Sequence, residues 1–334
     1  MTLRVGNLTI ETPVLLAPMA GITDLPFRRL AARFGVGLVV SEMVASREMV
    51  EAKPSVRARA ELFGDGALSA VQIAGREARW MAEAARIVEG AGARIIDINM
   101  GCPAKKVTSG WSGSALMRDP DHALRLIEAV VGAVSVPVTL KTRLGWDRGA
   151  MNAPEIARRA EAAGVKMITI HGRTRCDFYK GAADWAAIRA IREAVSIPLV
   201  ANGDIVDAET AKRALALSGA DAVMVGRGVR GAPWVPSRIA DALEGRRPRP
   251  EPSLTARRDL LLEHHEAMMR FYGRELGLRV ARKHLSWALE RIPGSRPLRD
   301  AAVRLDAPEA VRRALVEGFA RLAGEGPAIG ARAA

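Results

Sequence analysis

Cysteine is nearly absent from this sequence: Cys102 and Cys176 are the only two among 334 residues. That scarcity excludes a disulfide framework and fits a reducing compartment. The two do not form a C-x-x-C pair. The adjacent His264 and His265 fall in a helix-like stretch without a matching ligand set, so no metal site is expected. Long apolar runs are missing too. Although 49% of the residues are apolar, no run is long enough to span a bilayer, and no charged-then-apolar leader opens the chain. A soluble, cytoplasmic monomer with no membrane segment is expected. No fixed-period repeat occurs, which argues against a solenoid. Acidic residues are in deficit, with 37 Asp+Glu against 50 Lys+Arg and a net charge of +13. The deficit is uneven: residues 246–334 hold 18 Lys+Arg against 11 Asp+Glu, the first 245 hold 32 against 26. More than half of the excess lies in the last quarter. A basic segment of this kind suits nucleic acid, although Arg richness also follows from a GC-rich genome.

What is present is organised around Ile95-Ile-Asp-Ile-Asn-Met-Gly-Cys-Pro103. It begins as a β-branched apolar run with Asp97 and Asn99 two apart, so both leave the strand on one face. It ends in Gly-Cys-Pro, where Gly101 tolerates unusual backbone angles and Pro103 cannot continue a ladder. A thiol therefore sits just past a strand's C-terminal end. A lone cysteine is often a small buried apolar group. Lys105, Lys106 and a Gly/Ser-rich stretch through Ser114 suit an exposed loop over a polar or anionic ligand better.

Short apolar runs recur at 14–17, 37–41, 69–72, 95–100, 138–143, 167–171, 199–202 and 222–226, separated by Ala/Arg/Glu-rich segments with helical spacing. Eight β/α units in about 240 residues predict a (β/α)8 TIM barrel, followed by a small all-helical C-terminal domain. Each run finishes on polar or turn residues: Pro18 and Met19, Glu42, Gln72, Asn99 and Cys102, Lys141 and Arg143, His171, Asn202-Gly203-Asp204, Gly226-Arg227. In a barrel these ends converge on the C-terminal face, where active sites are built. Single residues have plainer readings: Gln72 as a helix cap, Lys141 as a barrel-interior charge paired with Glu42, His171 as a structural histidine. The longest gap between runs follows the fourth and holds Cys102, which suggests a loop covering the site. Gly226-Arg-Gly-Val-Arg-Gly231 matches G-x-G-x-x-G but closes the series instead of opening it, so it is not a dinucleotide fingerprint. With Asn202-Gly203-Asp204 it reads as a cradle for one phosphate after strands 7 and 8.

After Glu244 the texture changes. Arg246-Arg-Pro-Arg-Pro-Glu-Pro252 is a charged, proline-punctuated linker, which divides the chain into 1–245 and 246–334. Helical segments at 254–272, 275–291, 297–304 and 308–322 predict a bundle. Arg279, Arg282 and Lys283 stand at i, i+3 and i+4 and share one helix face. That pattern fits a solvated surface or an RNA-facing one.

At these residues the chain resembles the tRNA-dihydrouridine synthase family, most closely its bacterial B-type branch. The resemblance runs through almost the whole sequence. It rests on Ala17-Pro-Met-Ala-Gly-Ile-Thr-Asp24, Ser41-Glu-Met43, Gln72-Ile73, Ile98-Asn-Met-Gly-Cys-Pro-Ala104, Gly113-Ser-Ala-Leu116 and Lys141-Thr-Arg143. Further on come His171-Gly-Arg-Thr-Arg175, Gly181 with Ala183-Asp-Trp185, Asn202-Gly-Asp204, Met224-Val-Gly-Arg-Gly228 and Arg282-Lys-His-Leu-Ser-Trp287. Asp177 departs from the pattern, in which Gln is usual; this bears on contacts with RNA phosphates, not on the chemistry. The resemblance implies an FMN enzyme that uses NADPH to reduce the C5=C6 bond of D-loop uridines in tRNA, the B-type branch favouring position 17. It implies FMN binding by Pro18, Met19, Ala20, Gln72, Lys141, His171, Asn202, Gly203, Asp204, Gly226 and Arg227. Cys102 would donate the proton, Asn99 and Arg143 would hold the uracil, and Arg279, Arg282 and Lys283 would face tRNA. Two other readings compete: a small-molecule flavin oxidoreductase of the dihydroorotate dehydrogenase type, and a non-enzymatic RNA-binding protein on a degenerate barrel. The basic tail argues against the first; Cys102, Lys141 and the cradle glycines argue against the second.

Overall fold

The computed structural model describes residues 2–62 and 68–324. Eight parallel strands form the first unit: β1 (Val14–Leu16), β2 (Leu38–Val40), β3 (Ser69–Ala74), β4 (Ile95–Met100), β5 (Val138–Arg143), β6 (Met167–His171), β7 (Leu199–Asn202) and β8 (Ala222–Val225). Leu16 pairs with Val225, Leu15 with Leu38 and Val39 with Ser69, so the sheet closes on itself as a TIM barrel. Strands covered on both faces can be apolar throughout, which is why β1, β2 and β8 read as continuous Val/Leu/Ala/Met runs. Three of the helices between them begin on side-chain caps. Asp24, Asp119 and Asp207 accept backbone N–H groups at the starts of Leu25–Ala32, Pro120–Val131 and Ala208–Ser218.

The N-terminal end of the barrel is plugged by a two-stranded hairpin, Leu3–Val5 against Leu8–Ile10. Leu3, Val5 and Ile10 are buried in one cluster with Leu15, Leu38, Ala70, Ile95, Met167, Val200 and Ala222, the inward residues near the strand starts. The sequence reading missed this hairpin. With that end sealed by apolar groups, the polar strand ends at the other face are left to form a site.

The second unit is built on Leu254–Tyr272, Arg274–Glu290, Arg296–Ala302 and Pro308–Leu322, around a core that includes Met268, Leu285, Leu289, Val311, Leu315 and Phe319. The division between units differs from the expected 245/246. It falls at Pro248/Arg249, inside the proline-punctuated stretch, and Val229–Trp234 belongs with the helical unit. Side-chain stacking explains the exception. The Arg230 guanidinium lies 4.6 Å from the Trp287 ring, Arg257 lies 5.2 Å from the Trp234 ring, and Arg291 Nε donates to the Arg230 carbonyl at 2.6 Å. Cation–π contacts and a charged hydrogen bond hold the segment to its helices.

If the hairpin is part of the barrel core, Leu3→Ala should lower the stability of the barrel transition in urea by roughly 2–5 kcal/mol. No shift in the midpoint would show that the plug contributes nothing.

Candidate active site

The floor of the site is a chain of buried polar side chains. Asn99 Nδ2 donates to Gln72 Oε1 at 2.7 Å, Gln72 Nε2 to Asp97 Oδ2 at 2.6 Å, and Thr139 Oγ1 to Asp97 Oδ1 at 2.6 Å. Strand register sets this up: Gln72 lies opposite Asp97, and Asp97 opposite Thr139. Gln72 is thus a strand residue in a core network and not a helix cap. Burial pushes the Asp97 carboxyl up, against the two hydrogen bonds and the Lys141 charge. With both ends of each amide engaged, the network fixes the orientation of Asn99.

Asn99 in turn holds the thiol's backbone. Its Oδ1 accepts the N–H groups of Gly101 at 3.3 Å and Cys102 at 3.0 Å. From the other side the Cys102 carbonyl accepts from Ser114 N at 3.1 Å and Ser114 Oγ at 2.8 Å. Gly113 makes that approach possible, since a Cβ there would stand 2.9 Å from the Cys102 carbonyl oxygen at a φ of +60°. The loop expected to cover the site is therefore pinned at its reactive residue. Cys102 is half-buried. Burial pushes its thiol above the ordinary value, opposed by the Ala104 backbone hydrogen bond and the charges of Arg143 and Lys141. It stays a neutral thiol at physiological pH.

Around this thiol the strand ends gather positive charge. Lys141 Nζ donates to Asn202 Oδ1 at 2.9 Å, while Glu42 accepts from the Gly21 N–H at 2.5 Å, so the anticipated Lys141–Glu42 pair is replaced by these bonds. Burial and the Arg143 charge bring the Lys141 ammonium down to about 8, with Asp97 pulling the other way. Arg143 is wholly buried: Nε donates to the Gly101 carbonyl at 2.7 Å, and Nη1 to the carbonyls of Thr174 and Phe178, each at 2.9 Å. It straps the loop after β4 to the loop after β6.

The sequence reading did not single out Arg173, although it stands two residues after His171. Arg173 is 2% exposed and pairs in a fork with Asp204, donating through Nη1 at 3.0 Å and Nη2 at 2.5 Å. Nη1 also lies 3.2 Å from His171 Nε2. A guanidinium can only donate, so Nε2 accepts and the imidazole proton sits on Nδ1. Burial first, then Lys141, Arg143, Arg173 and Arg227, hold the His171 pKa well below the usual range, so the ring is neutral. Asp204, expected as part of the phosphate cradle, directs its carboxylate to Arg173, to the Ala183 N–H at 2.8 Å and to Arg227 at 3.5 Å. Its side chain orients cations and would repel a phosphate.

The last two strand ends differ in exposure, with Asn202 and Gly203 buried and Gly226 half-buried. Asn202 Nδ2 donates to the Met224 carbonyl at 2.8 Å and locks β7 to β8. A Cβ on Gly226 would stand 3.9 Å from Ala17 and Met19, in ordinary van der Waals contact, so the turn itself tolerates a small side chain. Pro18 and Met19 are half-buried and Ala20 exposed beside it, in a turn where the Met19 N–H is held by Thr23 Oγ1 at 2.8 Å. Gly203 is different: its φ is +111° and a Cβ would lie 2.7 Å from the His171 ring. Lys141, Arg227 and a protonated His171 Nδ1 form a set of charges and donors fit for an anionic, hydrogen-bond-accepting group such as a flavin.

In the helical unit, Arg279 is exposed, Lys283 half-buried, and Arg282 Nη2 reaches the Leu305 carbonyl at 3.4 Å. The three do not present equal free charges. His264 and His265 are both buried, and among the described residues no group of three or more His, Cys, Asp or Glu could hold a metal ion. Asp177 Oδ2 accepts the Thr174 N–H at 2.9 Å, closing the turn that carries Arg143's acceptors.

The Lys141 shift has a sign that can be checked. Between about pH 8 and 10.5 the unfolded lysine holds a proton that the folded one has lost, so stability rises with pH through that window. The penalty is present in full below pH 8 and gone above 10.5, worth up to roughly 3 kcal/mol. Protein stripped of bound small molecules should gain stability over that interval, and Lys141→Met should abolish this component. Parallel pH–stability curves for the two proteins would refute the assignment.

Comparison with known proteins agrees with this architecture. The family model described as "Dihydrouridine synthase (Dus)" matches residues 15–323. A "Probable tRNA-dihydrouridine synthase" of Rhodobacter capsulatus is 63% identical over 320 residues, covering 96% of this chain and 98% of that one. A "tRNA-dihydrouridine synthase B" of Xanthomonas axonopodis pv. citri is 46% identical over 329 residues, covering 98% and 99%. Among solved structures, histamine dehydrogenase from Rhizobium sp. 4-9 superposes with a TM-score of 0.58 at 14% identity, over 97% of this chain and 64% of that one. A 2-naphthoyl-CoA reductase complex gives 0.56 at 15%, over 73% and 52%. At such identities the two share the fold. The family match and the full-length relatives carry the assignment, and the chain belongs to the dihydrouridine synthase family.

Proposed function

We propose that this chain reduces the C5=C6 bond of a D-loop uridine in tRNA, with FMN as its cofactor and NADPH as reductant. The observation that carries the reading is a neutral thiol pinned by its own backbone beside a barrel mouth lined with buried cations. Lys141, His171 through Nδ1–H, Gln72 and Asn202 would bind the flavin ring together with the 18–20 turn. Gly226, Arg227 and the Gly203 turn would take the phosphate, with Asp204 acting indirectly by holding Arg173 and Arg227. Held by these residues, FMN would supply hydride chemistry toward C6 of the uracil. C5 must then gain a proton, and Cys102 gives it: the S–H bond breaks, a C5–H bond forms, and solvent reprotonates the thiolate. The raised pKa keeps that proton available at neutral pH.

A uridine in folded tRNA reaches a barrel mouth only when flipped out of its stack. We assign Asn99 and Arg143 to the uracil edge; both already set the position of Cys102, through its N–H and through the Gly101 carbonyl. Residues 246–334, with 18 Lys+Arg against 11 Asp+Glu, supply charge for the tRNA backbone, with Arg279 exposed and Arg282 and Lys283 half-buried. Among the described residues no helix is long and apolar enough to cross a membrane. The two cysteines are free thiols, which accords with action in the cytoplasm.

The purified protein should release FMN, without FAD, on denaturation. Gly226→Val should empty the site while leaving thermal unfolding near that of flavin-stripped wild type, because a Cβ there meets nothing closer than 3.9 Å. Dihydrouridine mapping in tRNA from a strain lacking the gene should show loss at a D-loop uridine. Release of FAD, absence of flavin from every preparation, or an unchanged dihydrouridine map would each reject the reading.

A further inference from the structure

Trp111 is unaccounted for by the chemistry above. Its ring is 53% exposed, and its backbone sits at a φ of +56°, a conformation that bulky side chains rarely adopt. Neither feature helps folding. Leaving a large aromatic in water forgoes its burial, and the left-handed backbone adds strain. The loop geometry imposes both, through backbone bonds from Trp111 N to the Thr108 carbonyl at 3.1 Å and from Ser112 N to the Val107 carbonyl at 3.3 Å. Two residues on, Gly113 packs against Cys102, so a trans chain keeps the Trp111 Cα within roughly 7 Å of the Gly113 Cα. Trp111 is therefore carried on the same short loop segment that packs against Cys102.

Trp111 is also the outer end of an alternating stack. The Arg118 guanidinium lies 5.5 Å from the Trp111 ring and 5.0 Å from the Trp146 ring; Arg175 lies 4.6 Å from Trp146 and 4.6 Å from Phe178. Arg175 also donates to Thr108 Oγ1 at 3.4 Å. Cations and aromatic faces thus run across the loops after β4, β5 and β6, and the run terminates in one open indole. The loop itself is basic: residues 102–118 contain Lys105, Lys106 and Arg118 and no acidic residue, the first carboxylate after it being Asp119, which caps the next helix. An aromatic face interleaved with guanidinium groups on a positive loop is what unpaired bases stack on beside a phosphate backbone. A protein partner would be expected to meet carboxylates or a wider apolar surface here, and the loop offers neither.

We propose that Trp111 stacks on the base next to the target uridine, holding open the gap that the flipped nucleotide leaves. The proposal rests on the tRNA reading above and names the residue that discriminates an extruded uridine from a stacked one. Trp111 touches the substrate but not the reacting atoms, so its effect falls on binding and not on the protonation step.

A binding cycle tests it, using the full-length holoenzyme and tRNA transcripts in which the base on either side of the target uridine is replaced by an abasic site. Trp111→Ala should weaken binding of the intact transcript about 10- to 100-fold, the range expected for one lost base stack. Trp111→Phe should keep most of the affinity, within about 3-fold of wild type, because a flat ring still stacks. One of the abasic transcripts should bind wild type as weakly as Trp111→Ala binds the intact one, and Trp111→Ala should bind both transcripts alike. FMN content, thermal unfolding and flavin reduction by NADPH should be unchanged in both variants. The proposal is overturned if Trp111→Ala binds the intact transcript as wild type does, or if it weakens intact and abasic transcripts equally, which would mark a structural role. Dihydrouridine formation by wild type, measured in parallel, judges the tRNA reading separately, since the binding cycle needs no turnover.

Discussion

Positive charge gathered at one end of a barrel is the constraint on which this molecule turns. Lys141, Arg143 and Arg173 enter from strand ends or just beyond, with Arg227 at the rim. Removing a cation from water is expensive unless acceptors replace the solvent. The two buried arginines meet that demand with backbone: Arg143 takes the carbonyls of Gly101, Thr174 and Phe178, and Arg173 takes those of Lys180 and Gly181 beside Asp204. Lys141 is treated differently. It donates to a neutral amide, and burial lowers its pKa to about 8. An anion bound against it would restore what burial removes. The functional reading follows from that asymmetry between satisfied arginines and a strained lysine.

The same bonds organise the catalytic face. Arg143 ties the loop carrying Cys102 to the loop after β6, and Arg173 ties that second loop to the β7 turn through Asp204. Below them the Asn99–Gln72–Asp97–Thr139 chain sets the one side chain that holds the Cys102 N–H. The proposed role of Cys102 as proton donor requires placement within tenths of an ångström, and its backbone is fixed from both sides while the residue stays half-buried. The charges around it would favour thiolate, yet burial prevails and keeps the acid form. Charge for the cofactor and an acid for the base are compatible in one pocket for that reason.

The barrel was legible because the strands carry a recurrent signal of apolar residues ending on polar or turn residues, and several of the helices that follow open on Asp or Pro. Lys141, His171, Asn202 and Gly226 could be placed at the C-terminal face of the barrel from position alone, since each lies at or just beyond a strand end. Residues that act through others were not legible. Arg173 follows a strand and looks like any surface arginine until Asp204, far along the chain, is brought to it. Asp97 shares a face with Asn99, but its partners Gln72 and Thr139 come from neighbouring strands. The hairpin at Leu3–Val5 was missed because three-residue strands show almost no period. Val229–Trp234 was misplaced because stacking on Trp287, and not chain order, decides where it packs.

The central claim is that one pocket presents a cofactor held by cations to one face of a uracil and a neutral Cys102 thiol to the other. The most direct measurement is a single turnover, in which holoenzyme reduced by NADPH is mixed with tRNA and flavin reoxidation is followed. Cys102→Ala should retain FMN, accept electrons from NADPH and bind tRNA as wild type does, yet reoxidise roughly 10²-fold or more slowly, the usual size of a lost general acid. Reoxidation of Cys102→Ala at the wild-type rate would contradict the account and place the proton donor elsewhere.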